Sequence, residues 1–190
     1  MAKVFIDQEH FQGVSFHEKG LELGEYDQCV FENCQFVGMD LSQMIFIECQ
    51  FLACDLSNVK LGNTRFTDVQ FEDCKLLGLR FEDCNPFLLS FSFQQCLLNY
   101  SSFFQLKLKG TSFHECQLEE VDFVQADLSM ASFNKSNLKG ALFERSNLEK
   151  ADFRGAHHVI IDPELNDLRG AKLTKDQLPG LLFKYQLKVD

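Results

Sequence analysis

Large apolar residues recur at every fifth position along most of the chain. A first run holds 15 such positions, from Phe11 to Phe81, and a second run holds 13, from Phe93 to Phe153. The residue two places before each large residue is usually small or apolar, and the other three places are mostly polar. Because side chains alternate between the two faces of a strand, each pentad predicts a three-residue strand followed by a two-residue corner. A period of five matches neither 3.6 nor 3.5 residues, which argues against a helix.

The order of phenylalanine and leucine at these positions predicts how many sides one coil has. Between Phe93 and Phe153 the large residues alternate strictly between phenylalanine and leucine. Three sides would mix the two sizes in every stack, whereas four sides place like on like. The first run agrees, because Phe11, Phe31 and Phe51 are 20 residues apart. We therefore predict an all-β fold, a right-handed quadrilateral β-helix with coils about 4.8 Å apart.

The repeat divides the chain into two predicted parts. We expect residues 1–158 to form the β-helix and residues 159–190 to form a C-terminal cap and dimerisation module. Within the first part the five-residue register slips by two residues over 85–92. Pro86 takes a large-residue position there and cannot donate to a sheet ladder, so a bulge or kink is expected. A binding elbow and a tolerated insertion are alternative interpretations of this slip.

The tail carries signals of a short capping helix. Thr174 and Gln177 fit a capping box, and Pro179 leaves the helix start open unless it lies in the first turn. Leu187 and Val189 follow as a short strand. Because a solenoid end exposes core, the tail either caps its own rod or pairs with a second tail in a two-fold homodimer. We expect the dimer interface at the positions i, i+3, i+4 and i+7 of one helical face, namely Leu178, Leu181, Leu182 and Tyr185.

The eight cysteines occupy the small inward position of their pentads, and none forms a CxxC pair. Buried thiols behave as small hydrophobic groups, so packing explains them better than a redox or metal role. The five histidines are scattered, and no nucleophile motif or glycine-rich phosphate loop is present. We expect no catalysis, no metal and no cofactor. The cysteines are Cys29, Cys34, Cys49, Cys54, Cys74, Cys84, Cys96 and Cys116.

The formal net charge of −10 argues against direct binding of nucleic acid or an anionic membrane. Residues 1–86 hold 15 acidic and 6 basic residues, residues 87–160 hold 8 and 7, and residues 161–190 hold 5 and 5. No lysine or arginine occurs between positions 20 and 58. We expect a cytoplasmic protein whose acidic surface binds a protein partner. The predicted partner-binding residues are Glu22, Glu25, Asp27, Glu32, Asp40, Glu48 and Asp55.

The pattern resembles the pentapeptide repeat family, A(D/N)Lxx, over about residues 5–158. The match is clear in Ala-Asp-Leu-Ser-Met at 126–130 and in Ala-Asp-Phe-Arg-Gly at 151–155. Residues 162–183 also resemble the C-terminal module of the Qnr/MfpA-type members. That resemblance implies tail-to-tail dimers that imitate B-DNA, bind DNA gyrase or topoisomerase IV, and confer resistance to quinolones or other gyrase poisons. The projecting loops of Qnr proteins are reduced here to the slip at 85–92, which is closer to the loop-free MfpA type.

Charge density separates two functional hypotheses. B-DNA carries one negative charge per ~1.7 Å, so a rod of about 35 Å would need roughly 20 charges to match it. The chain has a net charge of −10, concentrated in its first half. Partial imitation of DNA on a topoisomerase is the first hypothesis. A non-catalytic interaction scaffold for another cytosolic protein is the alternative.

Overall fold

The computed structural model describes residues 4–187 and shows a parallel β-solenoid with four short sides per coil. Strands on two of the sides form regular parallel sheets. The first side contains β1 (Val4–Asp7), β3 (Gly24–Asp27), β5 (Ile45–Ile47) and β7 (Arg65–Thr67). The second side contains β2 (His10–Gln12), β4 (Val30–Glu32), β6 (Gln50–Leu52), β8 (Val69–Glu72), β9 (Phe91–Gln94) and β10 (Phe113–His114).

Successive coils pair in the register that the sequence predicts. Tyr26 faces Phe46 on the first side, and Phe31 faces Phe51 on the second side, 20 residues apart in each case. The third and fourth sides are joined by isolated parallel bridges, such as Asp55 to Lys75 and Asp40 to Lys60. The right-handed quadrilateral β-helix is therefore confirmed.

The core consists of columns in which like side chains stack. On the second side one ring from each coil stacks on the next, from Phe11 to Phe153, at centroid separations between 4.8 and 5.4 Å. The two sizes of side chain therefore fill separate columns, as the phenylalanine and leucine alternation predicts. The eight cysteines are buried and free, which agrees with their predicted place in the core.

The slip in the repeat is a local bulge that the ladder crosses. The Asn85 amide still donates to Thr64 O at 2.8 Å in the first register, whereas Val69 pairs with Phe91, 22 residues away. The extra residues project from the first side, where Phe87 is 61% exposed and Leu88 is 63% exposed. The predicted bulge is thus confirmed, and the solenoid continues on both sides of it.

The parallel ladder continues beyond position 158, because Asp152 still pairs with Lys172. The helix α1 (Phe16–Lys19) lies in the first coil, and α2 (Leu178–Leu181) lies in the tail. Three-residue 3-10 turns occupy Phe81–Asp83, Lys175–Gln177 and Phe183–Tyr185. Among the described residues, neither helix has the length and hydrophobicity needed to cross a bilayer.

The short tail helix is confirmed, but its predicted length is wrong. Pro179 lies in its first turn, as the sequence required. Pro179 and Gly180 are poor helix formers, and the helix ends at Leu181, before Leu182 and Tyr185. The four predicted positions therefore do not form one continuous helical face. Leu187 lies in no strand, and Val189 falls outside the described residues.

Candidate protein interface

The coil distributes the seven predicted acidic residues over all four sides, and none of them is buried. Glu25 and Asp27 lie on β3 and Glu48 directly follows β5, so these three share the first side. The structure therefore brings together fewer than half of the predicted residues. The others are Glu32 on the second side, Asp55 on the third side, and Glu22 and Asp40 on the fourth side.

Two further carboxylates extend the acidic part of the first side. Asp7 is the register partner of Asp27 on the preceding coil, and Asp68 lies one coil beyond Glu48. The sequence analysis missed both, because it followed a window of consecutive residues without lysine or arginine. A search at intervals of 20 residues would have found them. We call the resulting set, Asp7, Glu25, Asp27, Glu48 and Asp68, the acidic strip.

The acidic strip contains no internal charge compensation. Within residues 4–187, none of its five carboxylates forms an ion pair. Asp7 and Asp27 are like charges placed directly opposite each other, an arrangement that destabilises a sheet. One carboxylate oxygen of Asp27, Oδ1, is buried with no hydrogen-bond partner among the described residues. A cationic partner would relieve both features.

Other acidic residues of the first half are compensated. Glu32 contacts His10 at 3.0 Å, and Asp55 lies 3.9 Å from Lys75. A hydrogen bond from Ser42, together with nearby Lys60, holds the pKa of Asp40 below its usual value. The acidic strip therefore differs from the remaining predicted residues in its environment as well as in its position.

Acidic residues of the second half of the chain are paired with cations. Lys135 Nζ lies 2.6 Å from Glu115, Arg154 lies 2.7 Å from Asp152, and Arg169 lies 2.6 Å from Asp167. Hydrogen bonds from the Arg154 guanidinium hold the pKa of the Asp152 carboxyl below its usual range. The unbalanced negative charge of the protein is thus concentrated on the first coils.

An apolar protrusion borders the acidic strip on the same side. Phe87 and Leu88 project from the slip, and the Arg65 guanidinium lies 5.5 Å from the centre of the Phe87 ring. This cation–π contact directs Arg65 towards the bulge rather than towards the carboxylates. Lys107 and Lys109 follow on the first side after the bulge, so the sign of the charge reverses there.

The tail exposes most of the predicted dimer residues. Leu178, Leu182 and Tyr185 are exposed, whereas Leu181 is half-buried and packs against the core. The sequence analysis missed Phe183, which is 66% exposed, because it expected only one helical face. A cavity of about 530 Å³ lies among these residues, lined by Pro179, Leu182, Phe183, Lys184, Gln186 and Leu187.

The described part of the chain contains no group of three or more histidine, cysteine, aspartate or glutamate residues that could hold a metal ion. Burial raises the pKa of the Cys49 thiol to about 12 and also raises that of Cys34. Such thiols remain protonated near neutral pH and are poor nucleophiles. The surface features described above suit binding better than catalysis.

Comparisons with known proteins identify the repeat. Residues 25–103 and 80–153 match the family model for the pentapeptide repeat region. Two trypsin-treated variants of QnrB1, described as a plasmid-mediated fluoroquinolone resistance protein, share the fold with TM-scores of 0.50. One is 22% identical and covers 98% of this chain and 100% of that chain. The other is 23% identical and covers 97% and 99%, respectively.

HetL, a pentapeptide repeat protein involved in heterocyst differentiation regulation from the cyanobacterium Nostoc sp. strain PCC 7120, is more distant. It is 19% identical, with a TM-score of 0.29 over 88% of this chain and 87% of that chain. A comparison with curated proteins finds no match.

Proposed function

Because this chain belongs to the pentapeptide repeat family, we propose that it acts in the cytoplasm by binding a protein partner without catalysis. The partner is a type II topoisomerase, DNA gyrase or topoisomerase IV, whose DNA-binding groove receives the acidic strip. In this role the protein imitates DNA and modulates susceptibility to quinolones or related drugs. The fold that it shares with QnrB1, a fluoroquinolone resistance protein, supports this choice of partner.

The observation that carries the proposal is the charge density of the acidic strip. Its five carboxylates occupy the first side of four successive coils. Three coil spacings of about 4.8 Å cover about 14 Å, so the strip holds roughly one charge per 3 Å. One strand of B-DNA carries a charge per ~3.4 Å of helix axis. The strip therefore approaches the density of one DNA strand, although the whole chain falls below that of the duplex.

Dimerisation through the tail would give the proposed binder two arms. The exposed Leu178, Leu182 and Phe183 form an apolar surface suited to self-association. Two tails joined by a two-fold axis would place the acidic strips on the outer arms and the ion-paired second halves at the centre. Each arm would then contact its own part of a symmetric partner.

The second candidate function is that of an interaction scaffold for another cytosolic protein. The ion pairs of the second half, such as Lys135 with Glu115, leave the middle of a tail-to-tail dimer nearly neutral. A protein that imitates DNA through the whole of a groove would carry charge there. The exposed Phe87 and Leu88 also resemble an anchor for an apolar pocket more than they resemble a phosphate backbone.

Gyrase supercoiling in the presence of purified protein tests the first candidate. The native protein should alter supercoiling, or its inhibition by a quinolone, at micromolar concentration. The double variant Asp27→Lys with Glu48→Lys should lose this effect. The matched control, Glu120→Lys with Glu144→Lys, makes the same change in net charge at exposed positions outside the strip and should retain it.

Two results would favour the scaffold instead. One is a native protein that leaves supercoiling and drug inhibition unchanged at micromolar concentration. The other is a pull-down in which the partner is not a topoisomerase and is released by Phe87→Ala with Leu88→Ala. Circular dichroism melts of every variant establish that a lost effect does not come from unfolding.

A further inference from the structure

The two ends of the solenoid differ in how they are closed. At the C-terminal end the Gln177 side chain binds backbone carbonyls of the last coil, and Leu168, Leu173 and Leu181 pack against the core. At the N-terminal end β1 and β2 are edge strands, each paired on one side only among the described residues. The first coil thus presents an unpaired strand edge.

A largely apolar cavity opens at this N-terminal end. Its volume is about 400 Å³, and its lining includes Ile6, Phe11, Phe16 and Tyr26. Phe11 is the first ring of the long aromatic column and lies 5.0 Å from Phe31 at an interplanar angle of 11°. Phe11 is only half-buried, whereas Phe31 one coil further on is fully buried. The column therefore ends in a ring face on which another apolar side chain can stack.

The backbone of β2 offers hydrogen bonds at the same place. Val30 N donates to Glu9 O, and Gly13 N donates to Glu32 O, so these groups of the first coil face the second coil. Alternate residues of a strand bond to opposite neighbours, and the amides of His10 and Gln12 therefore point away from β4. An added strand would find donors and acceptors in register beside Phe11.

The charges around the cavity select the occupant. Among the described residues, the first coil carries Asp7, Glu9, Glu18 and Glu22 against the single cation Lys19. A second copy placed end to end would bring two such acidic rims together, which opposes self-association at this end. A basic segment would instead be attracted.

We infer that the N-terminal end of the solenoid binds an extended basic segment of a partner protein by strand addition. One inward side chain of that segment, aromatic or aliphatic, stacks on Phe11 and fills the cavity. The alternate side chains, lysine or arginine, face the acidic rim at Asp7 and Glu9. Main-chain hydrogen bonds provide affinity in this recognition mode, and the pocket provides specificity. This site is separate from the acidic strip apart from Asp7, which belongs to both.

A labelled synthetic peptide tests the inference on the full-length protein. The probe is a fluorescein-labelled nonapeptide in which lysine alternates with valine around one central phenylalanine. Fluorescence anisotropy should show saturable binding that weakens at least tenfold when the phenylalanine is replaced by alanine. A peptide with glutamate in place of lysine should not bind. Hydrogen exchange at His10 and Gln12 should slow when the lysine peptide is bound.

Variants of the protein complete the test. Val14→Trp should fill the cavity and abolish binding, and Glu9→Lys with Glu22→Lys should weaken it at least tenfold. Both leave Asp27 and Glu48 intact, so an effect on gyrase supercoiling would persist even where the peptide no longer binds. Glu120→Lys with Glu144→Lys should change peptide affinity less than twofold.

Three results would overturn the inference. The lysine and glutamate peptides could bind equally well, or Val14→Trp, shown to be folded by its melting curve, could bind the peptide normally. Sedimentation could also show a dimer that Val14→Trp dissociates, in which case a second copy occupies the end of the solenoid.

Discussion

The side-chain amide of Gln177 donates to Phe153 O at 2.7 Å and to Ala156 O at 2.8 Å. In earlier coils the same kind of carbonyl accepts a hydrogen bond from a small side chain of the next coil, as Phe113 O does from Ser136 Oγ at 2.9 Å. Gln177 thus supplies, from the tail, the donor that a further coil would otherwise contribute. Its Oε1 also accepts the Thr174 amide at 2.9 Å, which fixes the amide in place.

The substitution Gln177→Ala should destabilise the protein by about 1–3 kcal/mol, because it leaves buried carbonyls without partners. Gln70→Ala, at an exposed position of β8, serves as the control and should change stability by less than about 0.5 kcal/mol. Urea unfolding followed by circular dichroism measures both. Equal stability of the two variants would show that Gln177 does not close the solenoid.

The aromatic column predicts a second effect on stability. Phe133 stacks between Phe113 at 5.2 Å and Phe153 at 4.9 Å and is fully buried. Phe133→Ala should cost about 3–5 kcal/mol, whereas Phe5→Ala, at a ring that is 65% exposed, should cost less than about 0.5 kcal/mol. Similar unfolding midpoints for the two variants would contradict the stacking account.

Alkaline pH should destabilise the fold through its buried thiols. Burial raises the pKa of Cys49 from 9.0 to about 12. Because the folded state holds the neutral thiol, this contribution is fully present below pH 9 and is lost as the pH rises towards 12. Unfolding free energies measured from pH 8 to pH 11 should therefore fall. Cys49→Ala should flatten the curve, and an unchanged slope in that variant would assign the loss to other groups.

Self-association should depend on the exposed apolar tail. Leu182→Asp with Phe183→Asp should shift the protein from dimer to monomer in sedimentation equilibrium, since two carboxylates would be buried in the interface. Met130→Asp with Leu142→Asp, at positions 56% and 50% exposed, is the matched control and should leave the dimer intact. A native protein that sediments as a monomer at micromolar concentration would contradict the tail-to-tail arrangement.

The fold could be predicted from the sequence in detail because one residue position in five carries the core. The alternation of phenylalanine and leucine up to Phe153 contains the four-sided geometry, since only coils of 20 residues stack equal sizes. The path through the slip could not be predicted in the same way. Phe91 lies two places before Phe93, where small residues are usual, yet it is buried on Val69 while Phe87 projects. Packing against the coil beneath decides between them, and the pattern does not encode that choice.

The candidate interface was predicted only in part. Charge counts located the acidity in the first half of the chain, but a linear window cannot show which side each residue occupies. Glu25, Asp27 and Glu48 share a side, while Asp40 and Asp55 lie elsewhere. The pairing of Asp152 with Arg154, and the lack of any such partner for Asp27 among the described residues, depend on side-chain geometry that composition does not report.

The most direct measurement of the central claim is competition between the protein and DNA for gyrase. A fluorescently labelled duplex bound to gyrase should lose its anisotropy as the native protein is added. Asp27→Lys with Glu48→Lys should need at least tenfold more protein for the same displacement, while Glu120→Lys with Glu144→Lys should match the native protein. Gyrase that keeps its duplex at saturating native protein, or that releases it equally to both double variants, would contradict the claim that the acidic strip occupies a DNA-binding groove.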